Sequence, residues 1–139
     1  MKKQLAITIK NELPEIARVV QVFDRFWKSH NLADKVVNAV HVAIDEMLSN
    51  IVRYAFEDTK EHKIYIKITL TGAAVILEIR DDGKPFNPFS FAQTKVDTGS
   101  MLTERPIGGL GLHLVTSMMD TCEYHYLDKH NCSIMRKNH

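Results

Sequence analysis

Three short strings in this chain hold residues whose types and spacing could do chemistry. Residues 44–50 read IDEMLSN, residues 79–86 read IRDDGKPF, and residues 105–115 read RPIGGLGLHLV. In the first, Glu46 and Asn50 stand four residues apart, so on a helix their side chains meet on one face. A carboxylate there can orient or deprotonate a hydroxyl. An amide carbonyl beside it can give Mg²⁺ one of the few protein oxygens that ion takes, water and phosphate supplying the others. An isolated E-x-x-x-N also suits a plain solvated helix face. In the third string, Gly108, Gly109, Leu110 and Gly111 run into the apolar Leu112, Leu114 and Val115. Glycines at a helix start expose N–H groups to an anion, and the helix dipole adds to the attraction. No Gly-Lys-Ser/Thr follows, and G-x-G-x-x-G after a strand is absent, so neither of the two common nucleotide fingerprints is present.

The second string matters through its position on a strand. Val75, Leu77 and Ile79 alternate with Ile76, Glu78 and Arg80, and the apolar row extends by period two to Asp81. Asp81 should therefore point to the core side near the end of the sheet, where a carboxylate is costly without a partner. Two readings stand together here. The acid could cap its own D-D-G turn, or accept a hydrogen bond from an exocyclic amine such as that of adenine. Gly83 would let a flat ring approach the backbone.

The remaining periodicities predict the elements that carry these strings. Leu5, Ile7 and Ile9 alternate as a strand. Asn11 is placed to cap a helix with Pro14 in its first turn and Ile16, Val19, Val20, Phe23 and Trp27 at helical spacing. A second helix is expected over about 34–56. On it Val37, Val40, Ile44, Met47, Leu48, Ile51 and Ala55 form an apolar arc, and Glu46, Asn50 and Arg53 lie opposite. Asp45 points about 100° away from Glu46. Strands follow over 63–70 and 75–81, a third helix over about 109–119, and a final pair over about 122–127 and 132–137 about a turn at Lys129–His130. Residues 84–107 carry four prolines and glycines with several Ser and Thr but no sustained period, which predicts a lid over the site. The order β-α-α-β-β-lid-α-β-β makes an α+β two-layer sandwich of a mostly antiparallel sheet with about three helices.

Bulk properties narrow the field further. With 139 residues, 45% hydrophobic and 25% charged, the chain reads as one globular domain, 1–139. A net charge of +1 gives no electrostatic footprint for nucleic acid or an anionic membrane, and no stretch approaches a membrane span or a signal peptide. Two cysteines, Cys122 and Cys132, suit a reducing, cytoplasmic setting, and across the expected hairpin they do not face each other. The seven histidines show no ligand spacing.

E-x-x-x-N on a helix, D-x-G after a strand and G-x-G at a helix start, in that order, resemble the GHKL ATPases. That group includes histidine-kinase catalytic domains, a class of chaperones, DNA gyrase B and the MutL repair proteins. The strings DEMLSNIVRYAF, DDGKPFNP and RPIGGLGLHLV look most like the stand-alone bacterial anti-sigma-factor serine/threonine-protein kinases. The resemblance implies ATP and Mg²⁺ as cofactors, with Asn50 as metal ligand and Glu46 as base toward a partner's serine. It implies Asp81 on the adenine amine with Gly83 beneath the ring, and Gly108, Gly109, Leu110 and Gly111 at the phosphates. It makes Arg53 and Arg105 candidates for neutralising phosphate charge. The implied partners are a sigma factor and an anti-anti-sigma protein of the STAS class, with homodimerisation common in the group. The alternative is an ATP-binding adaptor that sequesters a signalling partner without kinase activity.

Overall fold

The computed structural model describes residues 2–90 and 109–139. Five strands, β1 (Lys3–Lys10), β2 (Lys63–Leu70), β3 (Ala74–Asp81), β4 (Thr121–Leu127) and β5 (His130–Asn138), form one sheet in the order β1-β2-β3-β5-β4. Every neighbouring pair is antiparallel. Among the described residues, α1 (Pro14–Trp27), α2 (Asp34–Tyr54) and α3 (Gly109–Met118) make the second layer, a short 3₁₀ turn at Lys28–His30 links the first two, and residues 88–90 are also helical. The α+β sandwich expected from element order is the one observed.

Period-two alternation decides which sheet face is covered. Cross-strand rows such as Ile66–Ile79–Ser133 and Ile68–Leu77–Met135 run across the sheet, and all six residues are buried. The opposite face is polar and laced by Lys67–Glu78 at 3.1 Å and by the Arg80 guanidinium over the Tyr65 ring at 5.5 Å. Helix α2 lies across β3 and β5 and buries nine of its residues, Val36 to Ile51. Truncating one of these large side chains to Ala would cost about 2–5 kcal/mol, so packing, rather than helix propensity, fixes how α2 is rotated. That rotation leaves Glu46 and Asn50 on the free arc.

Four local expectations change. Asn11 does not cap α1; no side chain does, and Asn11 Oδ1 instead accepts the His62 N–H at 2.9 Å, tying the β1 end to the β2 start. Helix α2 stops at Tyr54, because Phe56 turns out to stack on the His62 ring, centroids 4.1 Å apart. The last hairpin turns at Asp128 and Lys129, both with positive φ, one residue earlier than expected. The start of the expected lid is anchored rather than free. Lys84 N–H reaches Ala55 O at 3.0 Å, and Asn87 Oδ1 accepts the Phe89 and Ser90 N–H groups at 3.0 and 3.2 Å. The rest of that stretch, from residue 91, lies outside the described residues. Cys122 and Cys132 are free thiols facing Met135 and His125, and burial pushes the Cys122 thiol up to about 11.

Candidate functional site

The C-terminal half of α2, where its apolar and polar arcs meet, the end of β3 and the start of β5 enclose a cavity of about 360 Å³. Met47, Asn50, Ile51 and Tyr54 line it from α2, Pro85 and Phe86 from the segment after β3, and Asp81, Asn131 and Ser133 from the sheet. Apolar walls with a few polar groups at one end suit a flat heterocycle.

Asp81 is the most informative of these groups. It is only 4% exposed. Its Oδ1 accepts the Gly83 N–H at 2.8 Å and an Asn131 N–H at 3.1 Å, so it does cap its turn. Among the described residues no donor is recorded at Oδ2. The turn contact thus uses Oδ1, and Oδ2 is the oxygen left for another donor. Burial pushes the Asp81 carboxyl up, against the downward pull of those two donors, while Asp82 adds to the rise.

Asn50 borders this cavity and a smaller cleft of about 200 Å³ shared with Glu46, Ser49, Arg53 and Tyr54. Its Oδ1 is buried with no hydrogen-bond partner among the described residues. An orphaned buried acceptor is rare and costly, and a hard amide oxygen is a donor type that Mg²⁺ takes. The residues present therefore fit the ion. Glu46 is half-buried; desolvation, and then the neighbouring Asp45 charge, push its carboxyl up. Its carboxylate packs on the backbone of Gly111, where an added Cβ would collide with it. The glycine-rich start of α3 and the E-x-x-x-N face thus meet through Gly111.

The other expected residues fall as follows. Gly83 does not line the cavity; a Cβ there would lie 2.7 Å from both Ala55 Cβ and Ala55 O. Its lack of a side chain serves packing of the turn on the end of α2. Arg53 is exposed and lines the Glu46 cleft, not the main cavity. Gly109 and Leu110 open α3, with Leu110 68% exposed. Gly108 and Arg105 lie outside the described residues. Asp45 turns away into a groove between α1 and α2, as its place on the helix wheel requires.

Sequence reasoning missed Asn131, reading residues 128–131 as a turn. It is 6% exposed and pairs with Asp81 across β3 and β5. The signal available was the row Asn131, Ser133, Met135, which continues the core-facing period of β5 to its first residues.

Residues 9–137 match the family described as histidine kinase-like ATPase domains. Among curated proteins, the chain is 24% identical over 94 residues to the serine-protein kinase RsbW of Listeria monocytogenes, covering 66% of this chain and 60% of the relative. It is 27% identical over 81 residues to the anti-sigma F factor of Bacillus subtilis, covering 58% of this chain and 54% of the relative. The chain thus spans little more than half the length of these relatives. The solved structure of the RsbU and RsbW domains of Rv1364c from Mycobacterium tuberculosis superposes with a TM-score of 0.67 at 14% identity, covering 97% of this chain and 32% of that one. Among the described residues no helix is long and apolar enough to cross a membrane. Fold, motif order and family match agree: this chain belongs to the histidine kinase-like ATPase domain family.

Proposed function

We propose that the chain is an ATP-dependent serine/threonine-protein kinase that acts as an anti-sigma regulatory factor and phosphorylates an anti-anti-sigma partner of the STAS class. The observation that carries this reading is the orphaned Oδ1 of Asn50, set between a cavity floored by Asp81 and a cleft holding Glu46. The names of the relatives support the kinase and anti-sigma parts of this reading, and the STAS partner follows from the family resemblance.

In this mechanism Asp81 Oδ2 accepts a hydrogen bond from the adenine amine, and the apolar walls exclude water from the ring. Asn50 Oδ1 would hold Mg²⁺, which when bound neutralises charge between the phosphates. Backbone N–H groups of Gly109, Leu110 and Gly111 at the start of α3 face the phosphate side. Arg53 and Arg105 are the proposed cations for residual phosphate charge. Glu46 takes the proton of the acceptor hydroxyl as its oxygen bonds to the γ-phosphorus. The bond from that phosphorus to the bridging oxygen breaks, and ADP leaves with the electron pair. A carboxyl raised by burial is better matched to that task than an exposed one.

The test is transfer of labelled phosphate from ATP to a purified STAS protein, for the parent and for Glu46→Gln. Transfer by the parent, falling about 100-fold or more in the variant while nucleotide affinity holds within about threefold, is expected. Nucleotide binding with stable capture of the partner and no transfer would refute the kinase and leave the adaptor.

A further inference from the structure

Asn131 is the most heavily bonded side chain in the cavity. Its Nδ2 donates to Asp81 Oδ1 at 3.1 Å, to Lys84 O at 3.0 Å and to Gly83 O at 3.2 Å. Its Oδ1 accepts the Phe86 N–H at 3.1 Å and the Tyr124 hydroxyl. All acceptors lie on the nitrogen side and all donors on the oxygen side, so the amide has one orientation. Neither aspartate nor leucine reproduces that pattern.

We infer that Asn131 is a positioning residue that sets base specificity. By occupying Asp81 Oδ1, together with the Gly83 N–H, it turns Oδ2 toward the cavity as a fixed acceptor. The same amide holds the carbonyls of Gly83 and Lys84 and the N–H of Phe86. The wall that packs on the base and the acceptor that reads it are therefore fixed by one side chain. The cavity would select a purine with an amine at position 6 over one with a carbonyl there, because a carbonyl presents a second acceptor to Oδ2. This inference rests on the proposal that Asp81 binds the adenine amine.

The experiment compares Mg²⁺-supported binding of ATP and of inosine triphosphate, which has a carbonyl at position 6, by calorimetry. The parent should prefer ATP by about tenfold or more. In Asn131→Ala both affinities should fall as the wall loosens, but that for ATP about tenfold further, so the ratio collapses. Equal losses for both nucleotides would mean a merely structural role and overturn the proposal. A parent with no preference would instead overturn the reading of Asp81.

Asn131→Asp keeps the test open should the alanine variant not fold. In mild acid the introduced carboxyl shares one proton with Asp81, which restores the hydrogen bond to Asp81 but not those to the Gly83 and Lys84 carbonyls. As pH rises the second proton leaves and two carboxylates face each other. Its ATP affinity should approach the parent's near about pH 5 and fall toward about pH 8 relative to the parent. Tyr124 on β4, His130 on β5, and Asp82 and Lys84 in the turn are common to both proteins, so their titration divides out. A variant profile parallel to the parent's would overturn the proposal.

Discussion

Replacing Asn50 by leucine should stabilise the nucleotide-free protein while abolishing its response to Mg²⁺ and nucleotide. Asn50 Oδ1 is buried without a partner among the described residues, on a helix whose opposite face is core. An unsatisfied buried acceptor costs about 1–3 kcal/mol. Leucine has the same heavy-atom count and branching, carries no polar atom, and has a helix propensity better by about 0.5 kcal/mol. The expected gain is therefore about 1.5–3.5 kcal/mol in the free protein. The parent, in contrast, gains about 4.1 kcal/mol from a ligand present at about 1,000 times its Kd. Urea unfolding with and without Mg²⁺ and a non-hydrolysable ATP analogue reads both effects. The variant should unfold at higher urea in the free state, and the order should invert when ligand is added. A free variant less stable than the parent would mean that the Asn50 oxygen is already satisfied. A variant stabilised by ligand as much as the parent would remove Asn50 from the metal.

Gly83→Ala should lose about 1–3 kcal/mol in urea unfolding, since its Cβ would press on Ala55 Cβ and Ala55 O. Adding Ala55→Gly should recover only part of that loss, because the carbonyl contact stays; a full recovery, or no initial loss, would contradict the packing account. Gly111→Ala should leave thermal stability unchanged or raised, as alanine favours helix by about 1 kcal/mol. The displaced Glu46 carboxylate should slow phosphate transfer about tenfold, and an unchanged rate would separate Gly111 from Glu46. His62 bridges Asp58 at 2.7 Å and Asp82 at 3.0 Å, and the Asp58 carboxylate, with Asp82, raises its imidazolium against partial desolvation. A raised folded-state value stabilises fully below the unfolded value near about 6.5 and is lost as pH rises through the folded one. Parent stability should therefore decline over about pH 6 to 8 more steeply than that of His62→Gln, and parallel profiles would refute the bridge.

The elements were legible where one periodicity dominated. The rows of β2 and β3 and the apolar arc of α2 mark the covered faces because desolvation penalises any other rotation or register. The same logic put Asp81 on the core side, where it is buried. Single polar residues were less legible. Asn11 has a helix cap's chemistry but spends it on His62, and Asn131 has a turn residue's chemistry but spends it on Asp81. In both cases a partner about fifty residues away, 51 for Asn11 and 50 for Asn131, outcompetes the local one. Such partners follow from strand order, and no local pattern encodes the β3–β5 pairing. Gly83 has the freedom a flat ring would need, but its close neighbour is Ala55, since close packing and ligand access call for the same residue.

The pairing of β3 with β5 has a consequence for how the protein reaches its working state. The acceptor and the amide that holds it are 50 residues apart, and Phe86 is 45 from the same amide. Until the last hairpin docks, the earlier strands and α2 hold a carboxylate that only the local Gly83 N–H engages. Such contacts form late, because a long loop must close before they return any stabilisation. The base pocket is thus a property of the completed sheet, and a nucleotide that binds it rewards only chains that have finished folding.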